Sequence, residues 1–162
     1  MKHIVLVLLA ATNILSASQA YAQGDKPAAT PQAKWEAECG SCHIAYPARF
    51  LNGETWQRLM GSLDKHFGDN ATLDPEINRE ILSYLTANAS SSGRRGAHSM
   101  RISDTAWFAG VHHEISPKAW THPAVKSRAN CTACHIHATR GDWSEHGVRM
   151  PAGLIDEEED EN

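Results

Sequence analysis

Cys39-Gly40-Ser41-Cys42-His43 and Cys131-Thr132-Ala133-Cys134-His135 repeat one pentapeptide pattern, and together they use all four cysteines of the chain. Two thiols at this spacing can each form a thioether to one vinyl group of a haem, and the adjacent histidine then falls beneath the iron as an axial ligand. Two copies therefore imply two covalently attached haem c groups. Cys39, Cys42, Cys131 and Cys134 would carry the attachment, with His43 and His135 as the proximal ligands. A pair of disulfides or a four-cysteine zinc site is the competing reading of the cysteines. Neither needs a histidine directly after each pair.

The N-terminus agrees with this chemistry. Lys2 and His3 precede the apolar run Ile4 to Ala11, and Ala20-Tyr21-Ala22 offers a small-x-small cleavage site. This reads as a secretory signal peptide over residues 1–22, cut after Ala22, and places the mature protein in the periplasm, outside the membrane where c-type haem is attached. The run is too short to span a bilayer, and no later stretch could do so. A mature chain of about 140 residues in two halves is small, at a size where each core is marginal without a staple. A haem would be that staple.

The formal net charge of −4 is dominated by the terminal run Asp156 to Glu161; without it and the signal segment the body is close to neutral. Residues 156–162 read as a solvated acidic tail. Ser90-Ser91-Ser92-Gly93-Arg94-Arg95-Gly96 reads as a linker. The organisation expected is an N-terminal haem domain over 23–89, a linker over 90–97 and a C-terminal haem domain over 98–155. The first motif opens its half and the second closes its own, so the chain is not a tandem repeat.

Helix signals dominate and no strand pattern is convincing. Thr30-Pro31 is a cap followed by proline at the first helical position, and predicts a short helix into Cys39 with Trp35 inward. Trp56, Leu59, Met60, Leu63, His66 and Phe67 fall on one face of a helix expected over 54–67. Asp74-Pro75 starts another with the stripe Ile77, Ile81, Leu82 and Leu85, ending near Asn88. In the second half Ser103 or Asp104 would cap a helix over 105–115 whose inward face carries Phe108, Val111, His112 and Ile115. Pro117, Trp120 and Pro123 suggest an irregular stretch. A short helix is expected over 131–138, and loop beyond Gly141 with Trp143 packing.

Each iron needs a distal ligand or an open position. His66, on an apolar face 23 residues past His43, is the candidate for the first haem. His112 is the candidate for the second, since it shares a stripe with Phe108 and Ile115, while His113 is rotated roughly 100° away. His113 stays the alternative. His98 lies beside the linker and could reach either iron. His122 sits in the irregular stretch, His137 is tied to the proximal side, and His146 reads as surface. Met60 and Met150 read better as packing residues than as ligands, and Met100 is uncommitted. A second imidazole gives a lower reduction potential than methionine and leaves no vacancy at iron.

The sequence resembles the dihaem cytochrome c family of the bacterial periplasm. The likeness rests on Glu38 to Pro47, Trp56 to Met60, Leu63 to Gly68, Arg101-Ile102-Ser103, Trp107-Phe108 leading to His112 and Glu114, and Pro123 to Ser127 before the second motif. It implies a mostly α fold, with an N-terminal domain like class I cytochromes c and a smaller, irregular C-terminal haem domain. It implies bis-histidine coordination in both, with His66 and His112 distal. The function implied is transfer of single electrons, without enzymatic activity. A small oxygen-binding c-type cytochrome and a membrane b-type cytochrome are the partners implied. The competing class is a dihaem enzyme of peroxidase type, which would need one open iron and pocket acid–base groups.

Overall fold

Proline-led caps set the frame. In a computed structural model, which describes residues 29–96 and 99–154, Thr30 and Asp74 each close the N-terminus of a helix, with proline in the first turn. Their side-chain oxygens accept from the backbone N–H groups of Ala33 and Glu76, satisfying donors that a helix start leaves orphaned. The helices are α1 (Pro31–Cys39), α2 (Gly53–Met60), α3 (Pro75–Ala87), α4 (Ala106–Val111) and α5 (Pro117–Thr121). Short 3₁₀ turns join them, and there are no strands among the described residues, only isolated bridges. The signal segment, the acidic tail and His98 lie outside the described residues.

The first half is a three-helix cluster in which α1 and α2 both pack on α3. Ile81 and Leu85 are fully buried at its centre, with Trp35, Leu51, Trp56, Leu59, Met60 and Leu63 around them. The indole N–H of Trp56 donates to the Ala48 carbonyl at 2.7 Å, so the one polar atom of this side chain is satisfied inside the core. Outside, Lys34 of α1 pairs with Glu80 of α3.

The helix expected over 54–67 is broken. α2 stops at Met60, where Gly61 caps it by donating to the Gln57 carbonyl, and a 3₁₀ turn over Leu63–Lys65 follows. His66 closes that turn, and Phe67 and Gly68 take positive φ of 54° and 114°. The apolar spacing continues across the break, so periodicity alone does not register it. Phe67 ends up 40 % exposed instead of inward.

Residues 90–96 form a strap against the first half. The Arg95 carbonyl accepts from Asn52 N–H at 2.7 Å, and the Gly96 carbonyl accepts from Thr55 Oγ1 at 2.7 Å and from Arg58 Nη2 at 3.0 Å. Gly96 has φ of +109°, and a Cβ there would lie 2.4 Å from Thr55 Oγ1, so only glycine fits. Thr55 is fully buried because this strap covers it.

The second half has little apolar core: Phe108, Ala119, Val125 and Ala138 are its buried hydrophobic residues. α4 is shorter than the helix expected over 105–115, and Thr105 caps it through Phe108 N–H, in place of Ser103 or Asp104, which belong to a preceding 3₁₀ turn. Residues 117–121 are helical where an irregular stretch was expected; Ser116-Pro117 carries the same cap-then-proline signal as Thr30-Pro31. Over 131–138 there is a 3₁₀ turn (Cys131–Ala133), not a continuous helix. A further 3₁₀ turn (Glu145–Gly147) interrupts the loop expected beyond Gly141. The halves meet at Phe50, whose ring lies 5.1 Å from Trp107 and 4.8 Å from Trp143.

Candidate haem sites

α1 delivers the first motif. Cys39 is its last residue, and the chain then turns through Gly40 so that His43 faces back toward His66. The His43 and His66 rings have centroids 6.1 Å apart and planes 20° apart. His43 Nδ1–H donates to the Ile44 carbonyl at 2.7 Å, which fixes the tautomer and leaves Nε2 as the free lone pair. Burial, then the nearby His43, lowers the pKa of His66 and favours the neutral ring that can ligate.

In the second half His135 and His112 stand in the same relation. Their centroids are also 6.1 Å apart, but the planes differ by 77°. His112 is the C-cap of α4, stacked 4.1 Å from Phe108, and its Nδ1–H donates to the Phe108 carbonyl at 3.0 Å. That again leaves Nε2 free. Burial, then His112, lowers the His135 pKa. His135 Nδ1 is buried with no hydrogen-bond partner among the described residues. The backbone around His135 is pinned by Val148, through Ile136 N–H to the Gly147 carbonyl and Arg149 N–H to the Cys134 carbonyl.

The imidazole spacing has a metric meaning. A first-row metal ion holds an imidazole nitrogen at about 2.0–2.1 Å, so two rings on opposite sides of one ion have centroids about 6–6.5 Å apart. Both pairs fit. Around the second pair lies a cavity of about 530 Å³, inside the 300–1,000 Å³ typical of cofactor sites. Phe108, Val111, Trp120, Cys131, Cys134 and Trp143 line it. Val111 was expected on the inward stripe; it is 56 % exposed, and opens onto this cavity.

The remaining sequence candidates separate by position. His113 is exposed, with Nδ1 on the Gly110 carbonyl and Nε2 3.8 Å from Glu114. His137 sits against Arg140, and His146 is exposed. Met60 is buried in the first core, Met100 packs against that core, and Met150 lines the second cavity. No disulfide joins any two of the four cysteines. No cluster of three or more His, Cys, Asp or Glu side chains forms among the described residues, so the four cysteines are not gathered into one site.

Tyr46 makes a contact between the two motifs that periodicity does not reach. Its ring stacks 5.1 Å from His43, and its hydroxyl donates to the Ala129 carbonyl at 2.8 Å, two residues before Cys131. Burial pushes its phenol up, so it stays a neutral donor. It ties the two sites together. Its place in the segment Ile44-Ala45-Tyr46-Pro47, directly after the first motif, was the available signal.

A helical frame carrying two attachment pentapeptides, each with a second histidine ring set opposite, defines a small c-type cytochrome. The family profile for dihaem cytochrome c matches residues 35–143, and the chain belongs to that family, with its two covalently bound haem c groups and a role in electron transfer. A dihaem cytochrome c of Shewanella baltica OS155, solved by X-ray, is 36 % identical and superposes with a TM-score of 0.66 over 76 % of this chain and 96 % of that one. Two structures of the dihaem cytochrome c of Rhodobacter sphaeroides are 40 % and 39 % identical, each with a TM-score of 0.59 over 67 % of this chain and 93 % of that one. A search of curated proteins returned no significant match.

Proposed function

We propose that this protein is a periplasmic carrier of single electrons whose two haems are both bis-histidine ligated and of low potential. Cys39 and Cys42 attach the first haem, with His43 and His66 as its axial ligands. Cys131 and Cys134 attach the second, with His135 and His112. The observation that carries the reading is the common 6.1 Å separation of the two imidazole pairs. Iron in each haem supplies a one-electron couple, and a second imidazole keeps its potential below that of a methionine-ligated haem.

The chain's own residues do three things for this function. Backbone carbonyls of Ile44 and Phe108 orient His43 and His112 through Nδ1–H. Phe108, Trp120 and Trp143 exclude water on the second side, which strengthens local electrostatics. With both axial positions taken by histidine, no site is open to oxygen or peroxide. The halves act as two haem domains, 23–89 like class I cytochromes c and 98–155 smaller and irregular, with residues 90–97 between them. Residues 1–22 act as the export signal and 156–162 as an acidic tail. The partners proposed are a small oxygen-binding c-type cytochrome and a membrane b-type cytochrome.

The test is replacement of each distal histidine. His66→Met and His112→Met should each raise one midpoint potential and leave the other nearly in place, whereas His113→Ala should move neither. In the native protein carbon monoxide should leave the reduced spectrum unchanged. A carbon monoxide adduct would show an open iron and support the peroxidase-type reading instead.

A further inference from the structure

Three arginines line the second cavity, and they come from different parts of the chain: Arg49 from the first half, Arg95 from the strap and Arg128 from the second half. Each guanidinium lies over an aromatic ring. Arg95 is 3.9 Å from the Trp107 centroid, Arg49 is 5.3 Å from Phe50, and Arg128 is 5.1 Å from Phe108. Arg95 Nη1 also donates to the Arg49 carbonyl at 2.8 Å, which anchors the Arg95 guanidinium against the backbone of Arg49. None of the three has a carboxylate at ion-pairing distance among the described residues. Glu114 and Glu145 share the cavity wall, but both are exposed and neither meets an arginine.

Two neighbouring guanidiniums repel each other, and partial burial adds to the cost; both effects lower the Arg95 pKa, burial more than Arg49. Arg49 is exposed and Arg95 half-buried, so water solvates part of this charge, and an anion at the cavity wall would relieve the repulsion that remains. A guanidinium fork is matched to a carboxylate. Haem carries two carboxylates on its propionate side chains.

We infer that Arg49 and Arg95 hold the propionates of the second haem, so that the first half and its strap complete the second haem site. This rests on the proposed assignment of that haem to the cavity between His112 and His135. The second half, with its sparse apolar core, would then depend on the first half for a charge contact as well as for the Phe50 packing.

The experiment is a spectroelectrochemical titration of the full holoprotein, following both midpoint potentials. A cation beside a haem disfavours the oxidised state, which carries one more positive charge. Arg49→Gln and Arg95→Gln should therefore each lower one potential, the same one in both variants, and leave the other in place. Arg49→Lys and Arg95→Lys keep the charge and should keep the potential near native, which separates charge from packing on Trp107. Arg94→Gln, exposed and outside the cavity, should move neither. His112→Met identifies which potential belongs to this cavity. If His112→Met moves one potential and the arginine variants move neither, or the other, the inference is overturned. A lysine variant that shifts as far as its glutamine counterpart also overturns it. If His112→Met itself moves neither, the ligand assignment is what fails.

Discussion

The two histidine pairs share one ring separation and differ in almost everything that supports it. The first stands beside a packed three-helix core, and its His66 ends a 3₁₀ turn just beyond that core. The second is wrapped by short helices and turns around a cavity, with four buried apolar residues in its half. The His112 and His135 rings are near-perpendicular, whereas those of His43 and His66 are near-parallel. The first half can hold its shape through side-chain packing. On the proposed assignment the second haem would take the place of a core in its half. Small domains that cannot bury enough apolar surface need such a staple, and on that assignment the staple would also be the redox centre.

The sharpest way to break this comparison is to remove attachment one site at a time. The Cys131→Ala/Cys134→Ala pair should leave the second half without its haem and open it to proteolysis, with new cuts within 99–154. The Cys39→Ala/Cys42→Ala pair should leave α2 and α3 protected, because their contacts lie in the apolar cluster and not across a cofactor. Equal loss of protection in both halves would erase the distinction.

Next in size is the core itself. Ile81→Ala removes a fully buried side chain from the centre of the first half and should cost about 2–5 kcal/mol in denaturant unfolding. Gly96→Ala should destabilise by roughly 1–3 kcal/mol, since it forces a side chain into left-handed backbone against Thr55. Its effect should appear in the unfolding of both halves, because the strap is shared. The smallest effect belongs to the surface: Lys34→Gln breaks the pair with Glu80 and should cost no more than about 1 kcal/mol, falling further with added salt.

What the sequence made legible follows the range of the interaction. The attachment motifs and the two proline-led helices α1 and α3 depend on residues within a few positions of one another, and they are readable to within a residue. His112 could be preferred over His113 from helical phase, and the structure puts His113 at the surface while His112 faces His135. The break after Met60 was hidden because its apolar spacing runs on through Gly61, and the turn is fixed by tertiary contact. Residues 90–96 look like a spacer by composition, yet backbone carbonyls, which carry no side-chain signature, bind them to Asn52, Thr55 and Arg58. Tyr46 and the arginine pair act across long sequence separations, where one-dimensional patterns say nothing. α5 is different: Ser116-Pro117 marked its start, and the nearby Pro123 masked it.

The account turns on two bis-histidine irons with unlike ring geometry. The most direct measurement is the low-temperature electron paramagnetic resonance spectrum of the fully oxidised protein. Near-parallel imidazoles split the iron d orbitals strongly and give a rhombic low-spin signal, whereas near-perpendicular imidazoles leave them nearly degenerate and give a highly anisotropic one. The account predicts both low-spin signals in equal amounts, with the anisotropic one lost in His112→Met. A high-spin ferric signal in the native protein, or a methionine-to-iron charge-transfer band in the near infrared, would contradict it.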